Sequence, residues 1–450
     1  MLETHRTDVP VLSMGKTYRP YLPEQDLLLP PSLRDWLPEG HLAYFVSDLI
    51  DELNLSAIES YYEQEERGYP PYHPRMMTKI LVYGYCVGVF SSRRLQKRLH
   101  EDIAFRVLAA DNQPDFRTLS DFRKIHLATL QGLFEQVLRM AVELGALKLG
   151  RIAIDGSKLK ANASKHKAMS YKRMKEEQKR LKQEVRRLLE EAERIDAEED
   201  ARYGRNSYGD ELPAELQRRE ERLQRIREAK RVLEARARQE AEAAAKEPDG
   251  EGSKTEVKPE EKDQYNFTDP ESRILKGPDG FLQGYNAQIA VEPVLQLIVG
   301  QAVTQAANDK KQLLPMVATV EKQAGQKPSQ VLADSGYTSD ASLQGMEKAK
   351  VDAYLAVARD KHHQRTERCP RGPLPKGATR TDRMRRKLQT QVGRAIYAAR
   401  KAIVEPVFGQ IKQARGFRQF LLRGLTKVQG EWALVCMAHN ILKLHRLVST

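Results

Sequence analysis

The chain has 450 residues of which 40% are hydrophobic, enough for two or three domains with real cores and too many for a disordered tail. Its 75 Lys and Arg against 62 Asp and Glu leave a formal charge of +13, which points to a polyanionic partner, nucleic acid first. Cys86, Cys369 and Cys436 stand far apart, which indicates neither a disulfide framework nor a structural zinc site and fits a reducing cytoplasm. No apolar signal core opens MLETHRTDVPVLSMGK and no run of about 18 apolar residues follows, so membrane insertion is not expected.

Residues 1–149 read as an all-α N-terminal domain. Apolar residues recur at three-and-four spacing over Met76–Val87, Arg93–Leu99 and Ser120–Leu144, after the turn-forming Gly68-Tyr-Pro-Pro-Tyr-His-Pro74. A helix ending at Gly88, a turn through Ser91 and Ser92, and a second helix carrying Arg93, Arg94, Lys97 and Arg98 outline a helix-turn-helix. Arg93, Arg94 and Lys97 are candidate DNA contacts, to phosphates or to bases.

The period changes at Arg151-Ile-Ala-Ile-Asp155-Gly, where Ile152 and Ile154 alternate as in a strand that ends at an acid and a glycine. This opens an α/β domain over residues 150–450, interrupted by an insertion at 165–262. In the insertion Met174, Leu181, Val185, Leu188, Ala192 and Ile195, then Leu216, Leu223, Ile226 and Leu233, recur at heptad-like spacing. Two helices packed as an antiparallel coiled-coil hairpin are predicted, joined through Tyr203–Pro213 and returning by a linker over Glu247–Lys262. Such a hairpin is either a brace or an arm that pairs protomers or DNA ends.

Next come a predicted strand hairpin (Gly284–Glu292 and Leu297–Ala306, turning at Pro293), a helix from about Asp309, a strand ending at Asp334-Ser-Gly, and a short strand over Ala353–Ala358. Helices over Arg394–Gln413 and Val428–Leu447 close the chain.

Charge is unevenly spread. Tyr171–Glu247 holds 21 basic and 20 acidic residues and is nearly neutral, whereas Arg359–Lys427 holds 19 basic residues against four acids, a net +15. The polyanion is expected against this second stretch, with Arg415, Arg418 and Arg423 among its contacts. Glu405 stands inside it, in Tyr397-Ala-Ala-Arg400-Lys401-Ala-Ile-Val-Glu405-Pro-Val-Phe-Gly-Gln-Ile-Lys412. There Tyr397, Lys401, Glu405 and Lys412 share a helical face, and Pro406 predicts a kink or a helix start at the Glu. An acid on a basic face stays ionised and ready for metal while its neighbours hold phosphates. Phosphoryl transfer needs such a set: hard carboxylate oxygens bind Mg²⁺ or Mn²⁺, and two ions stabilise the attacking and leaving oxygens.

This stretch resembles the Tyr-Arg-Glu-Lys signature of DDE transposases from bacterial insertion sequences. Asp155-Gly-Ser and Asp334-Ser-Gly-Tyr337 resemble the first two acidic motifs of that family, in the same order. Pro71-Tyr-His-Pro-Arg-Met-Met77, Thr118-Leu-Ser-Asp-Phe-Arg123 and Thr268-Asp-Pro-Glu-Ser-Arg273 are similar to further segments of it. The resemblance implies a ribonuclease-H-like catalytic domain, with Asp155 on its first strand, Asp334 on its fourth and Glu405 on a late helix, together holding two Mg²⁺ or Mn²⁺ ions. It also implies binding of the element's terminal inverted repeats, metal-dependent strand cleavage and strand transfer, and a homodimer on double-stranded DNA. Four residues separate Arg400 from Glu405 where the signature has three, so Arg400 and Lys401 are alternative holders of its Arg role. A nuclease that cuts without joining, and a DNA-binding protein with a decayed site, are the rival readings; intact Asp155, Asp334 and Glu405 speak against decay.

Overall fold

The computed structural model describes residues 32–63, 70–203, 214–245, 258–277, 280–357, 369–370 and 372–449. The opening segment MLETHRTDVPVLSMGK, Gly68 and Tyr69, most of the Tyr203–Pro213 connection and residues 247–257 of the predicted linker lie outside them.

Among the described residues a short 3-10 helix (Leu33–Trp36) precedes seven α-helices: α1 (Leu42–Glu52), α2 (Ser56–Glu63), α3 (Pro74–Cys86), α4 (Ser92–Glu101), α5 (Ile103–Leu108), α6 (Phe116–Ile125) and α7 (Leu127–Glu143). His73 caps α3 by accepting from the Arg75 N–H, and Pro74 occupies the first turn, where its missing N–H costs nothing. Gly88, at φ +78°, ends that helix, and the chain turns through Ser91 into α4. The helix predicted without a break over Ser120–Leu144 is two helices, parted at His126. The His126 ring is held 3.0 Å from the Tyr62 hydroxyl and packs on Phe122 and Tyr61. Fixing that side chain against α2 redirects the chain.

The sheet elements follow: β1 (Arg151–Lys160), β2 (Ala168–Ser170), the long helices α8 (Tyr171–Tyr203) and α9 (Ala214–Ala245), then β3 (Gln264–Asn266), β4 (Arg273–Gly277), β5 (Gly280–Val291), β6 (Ile298–Thr304), α10 (Leu313–Ala324), β7 (Gln330–Ala333), α11 (Asp340–Lys348) and β8 (Asp352–Leu355). Helices α12 (Arg380–Gln389), α13 (Gln391–Gly409) and α14 (Leu425–Ser449) end the chain. The main sheet runs β4-β5-β1-β7-β8, and β6 shares the outer edge of β5 with β4. β1 is antiparallel to β5 and parallel to β7, with Ala153 opposite Leu332. β2 and β3 form a separate two-stranded ladder at the foot of α8 and α9.

β1 does not end at Asp155-Gly156, as the sequence suggests. It continues to Lys160, because β5 pairs with it residue by residue as far as Lys160 opposite Gly284. The acid and the glycine therefore sit inside a strand.

Helix α14 is buried at every position from Val428 to Ile441 but Gln429, its apolar residues lying on all sides of the helix and Glu431, His439 and Asn440 buried among them. It packs against β6 on one side and α7 and α3 on the other, so one hydrophobic core runs from Ala43 to Leu444. His439 lies in this core with its Nε2 2.9 Å from the Gln296 carbonyl, and burial pushes its pKa down to about 3. A histidine that resists protonation when folded, against an ordinary value near 6.5, makes stability fall as the pH drops below about 6.5, because the unfolded chain takes up the proton first. Urea melts should show wild type losing about 2 kcal/mol between pH 7 and pH 5 relative to His439→Gln; parallel pH profiles would refute the assignment.

α8 and α9 lie side by side and antiparallel: Tyr171 pairs with Glu234, Glu177 with Arg222 and Glu184 with Arg219, in opposite chain directions. Of the predicted seam, Met174, Leu181, Leu216, Leu223, Ile226 and Leu233 are buried, and Val185 and Leu188 are half-buried. The side chains of Ala192 and Ile195 lie outside the described residues. Arg236 of α9 donates to the Pro270 carbonyl and so fastens the hairpin to the segment before β4. Within Thr268–Arg273, Asp269 accepts from the buried Tyr285 hydroxyl at 2.9 Å and the Gly424 N–H at 3.2 Å. Glu271 accepts from the Leu425 N–H at 2.8 Å, at the start of α14.

Candidate active site

Side chains alternate across β1. Asp155 and Ser157 face α13 and the wider π turn that continues it over Gln410–Ala414, whereas Gly156 and Lys158 face β5 and Asp309. Two residues past the Ala153–Leu332 pair, the parallel register carries Asp155 level with Asp334, which follows directly after β7. The Asp334 carboxylate takes the Gly336 N–H at 2.9 Å and so caps the tight turn Ser335–Tyr337.

Helix α13 crosses β1, β7, β5 and β8 and buries Arg400, Ile403, Val404 and Val407. Arg400, 8% exposed, brings its Nη1 to 3.4 Å from Asp155 Oδ2. Lys401 points to solvent. Of the two, Arg400 is the one that reaches Asp155. Burial raises the Asp155 carboxyl to about 6 against the opposing pull of Arg400, and the carboxylates of Asp334 and Asp309 push it further the same way.

Glu405 lies exposed on α13, a little over one turn beyond Arg400. The predicted helix start at the Glu is absent, because α13 runs through Pro406. The carbonyl of Ala402, which Pro406 cannot engage, accepts instead from the Gln296 amide at 3.0 Å. Lys412 donates to the Ser157 hydroxyl, and burial lowers its pKa. Tyr397 is half-buried, with the Arg400 guanidinium 6.0 Å from its ring.

The candidate DNA contacts divide by where their charges lie. Arg93, Arg94 and Lys97 are exposed on α4, with Arg93 stacked 4.4 Å over the Phe116 ring. Arg418 and Arg423 are exposed, their Nε atoms donating to the carbonyls of Lys412 and Asn162. Arg415 differs: its guanidinium turns into the core, donates to the Val435 carbonyl at 3.0 Å, and has its pKa lowered by burial.

Sequence reasoning missed Asp309. It sits on the Gly156 side of β1, accepting from Asn286 and Gln288 at 2.7 Å each and from Lys158 at 3.2 Å. The signal was there, since Asn286 and Gln288 stand at alternate places of β5 and so share one face. Two buried amides on one face demand a partner.

Among the described residues no group of three or more His, Cys, Asp and Glu side chains is placed to hold a metal ion. The site is an open one, a pair of acids beside the buried Arg400. That suits Mg²⁺, which is usually held by one or two carboxylates together with substrate phosphates. Such an ion would offset the cost of keeping the buried Asp155 carboxylate charged beside Asp334 and Asp309.

Gly156 makes this crowding possible, since a Cβ there would collide with Gln288 Nε2 and lie 3.0 Å from Asp309 Oδ1. Gly156→Ala is expected to cost about 1–3 kcal/mol in urea unfolding, as overpacking does. An unchanged midpoint would show that the contact relaxes freely.

A family model described as a transposase domain (DUF772) matches residues 31–125, and one described as a transposase DDE domain matches residues 255–441. The first spans α1 to α6; the second contains Asp309, Asp334 and Glu405, while Asp155 precedes it. No curated protein and no solved structure matches the chain. Among the described residues no helix is long and apolar enough to cross a membrane.

Proposed function

The chain belongs to the DDE transposases of insertion sequences, the two matched regions together covering more than half of it, and from that premise we propose that it binds the terminal inverted repeats of its element and cuts and joins DNA strands with Asp155, Asp334 and Glu405. The observation that carries this reading is the meeting of Asp155, at the level of Asp334, with Arg400 from the signature helix.

In this reading residues 150–450 are a ribonuclease-H-like catalytic domain, interrupted by a coiled-coil insertion within 165–262 and preceded by a helical DNA-binding domain over 1–149. Support comes from the mixed sheet, with Asp155 on its first strand and Asp334 after β7. β7 is fourth in chain order within the main sheet once β4, which pairs only with one end of β5, is set aside.

Asp155 and Asp334 would hold Mg²⁺ or Mn²⁺, two ions in all, with Glu405 closing the site from α13. Bound there, the ions would polarise the scissile phosphate and stabilise the attacking and departing oxygens. In the first step water adds to phosphorus and the 3′-oxygen leaves as a hydroxyl; in the second, that hydroxyl attacks a target phosphate and displaces its 3′-oxygen. Arg400 offsets charge at Asp155, and Lys412 and Lys401 flank the path of the phosphates.

A duplex bearing the element's end, incubated with target plasmid and Mg²⁺, tests both steps. Nicking with no joined product would reduce the protein to a nuclease; binding with neither would reduce it to a DNA-binding protein. The two long helices are read as the arm with which two protomers on DNA meet.

The C-terminal basic stretch should supply much of the DNA affinity by releasing counterions. Replacing both Arg418 and Arg423 by Ala is expected to flatten the slope of log affinity against log salt by up to about 2. Arg415→Ala, whose guanidinium faces the core, should leave that slope alone. A slope untouched by the double replacement would put the DNA on another surface.

A further inference from the structure

Asp309 touches both acid motifs, although the proposed catalytic set does not use it. Its ion pair with Lys158 ties it to β1, and both side chains are largely buried, at 18% and 14% exposure. Its Oδ1 accepts from Asn286 and Gln288, and Gln288 in turn accepts the hydroxyl of Tyr337, in the turn that follows Asp334. A Cβ placed on Gly336 would lie 3.0 Å from Asp334 Oδ1 and 3.8 Å from Asp309 Oδ2, so the two carboxylates are near neighbours.

Lys158 poses a difficulty for a metal site. A largely buried ammonium 3.2 Å from Asp309, itself a neighbour of Asp334, repels a divalent cation held there, and in a partly buried setting the repulsion is several times stronger than in water. Arg400 already sets one buried cation against Asp155, and its Nε has no partner among the described residues. Asp309 cancels the second.

We propose that Asp309 is a positioning residue for the metal chemistry: it neutralises Lys158 and, through Gln288 and Tyr337, fixes β1 against the Asp334 turn. It acts without being a ligand, since its oxygens are occupied by donors. The proposal rests on the reading that Asp155 and Asp334 hold divalent metal.

The test is Mn²⁺ binding to the full-length protein, followed by electron paramagnetic resonance of the free ion, for wild type, Asp155→Asn, Asp309→Asn and Lys158→Met. Asp309→Asn is expected to weaken Mn²⁺ binding roughly 10- to 100-fold, the range for partners that tune a metal site from outside its ligands. Lys158→Met should tighten it severalfold, a sign that a packing role for Asp309 does not produce. If Asp309→Asn binds Mn²⁺ like wild type, or if Lys158→Met binds no better than wild type, the proposal is overturned. Should Asp309→Asn fail to fold, Lys158→Met decides alone. Wild type and Asp155→Asn binding Mn²⁺ alike would bring down the metal reading itself, a result distinct from failure at Asp309 alone.

Discussion

Replacing Asp155 or Asp334 by Asn, or Glu405 by Gln, is expected to lower strand cleavage about 1,000-fold or more while DNA affinity stays within about twofold. The size follows from the several kcal/mol of transition-state stabilisation that a bound metal supplies, at about 1.4 kcal/mol per factor of ten. Affinity survives because a carboxylate makes no favourable contact with phosphate, and each replacement keeps the shape of the side chain. Asp155→Asn has a further consequence. It removes a carboxyl that burial and two neighbouring acids oppose, so the metal-free variant should be no less stable than wild type. Gel assays of a labelled end duplex beside fluorescence anisotropy of the same duplex separate the two effects. Near-normal cleavage by any one variant would remove that residue from the catalytic set, and Glu405, exposed on α13, stands under the severest test.

Glu431→Ala is expected to destabilise the protein by about 3–5 kcal/mol, a large share of the 5–15 kcal/mol that holds a typical fold together. Glu431 is fully buried on α14, accepting the Leu421 N–H at 2.9 Å and the Leu422 N–H at 3.0 Å. Burial raises its pKa, while the charge of Arg123 and the two N–H donors pull it back. Arg123 is itself 5% exposed and donates to the Phe90 carbonyl at 2.9 Å and the Tyr85 hydroxyl at 3.4 Å. Truncating the acid would leave a buried guanidinium without its countercharge and two N–H groups without acceptors. The double variant Glu431→Leu with Arg123→Met should recover much of the loss, because a buried pair replaced by apolar side chains is often neutral. Urea midpoints for the two single variants and the double one decide the matter; strictly additive losses would mean that the two residues do not act together.

Much of this was legible in the sequence where a repeating pattern set the structure. The apolar seam of α8 and α9, the strand with alternating Ile152 and Ile154, and the largely apolar run of α14 each follow from one period of side-chain placement. Which of Arg400 and Lys401 turns inward was open to this kind of reading too. Ile403, Val404, Val407 and Ile411 define the buried face of the last helical stretch, and Arg400 lies one turn earlier on it. Features that depend on distant partners were not legible. Nothing local says that β1 runs past Gly156, because its continuation is set by β5, more than 100 residues later. The break at His126 depends on Tyr62, and the inward turn of Arg415 on Val435. Asp309 follows β6 with no motif of its own, and only the amides of β5 betray it.

The long helical hairpin leaves the body at β2 and returns at β3, which pair with each other and with no strand of the main sheet. The sheet is therefore indifferent to how far the hairpin extends. One heptad added to each of α8 and α9, at 1.5 Å per residue, would carry its far end about 10 Å outward and keep the apolar seam in phase. The length of the hairpin can thus change without disturbing the strands that carry Asp155 and Asp334.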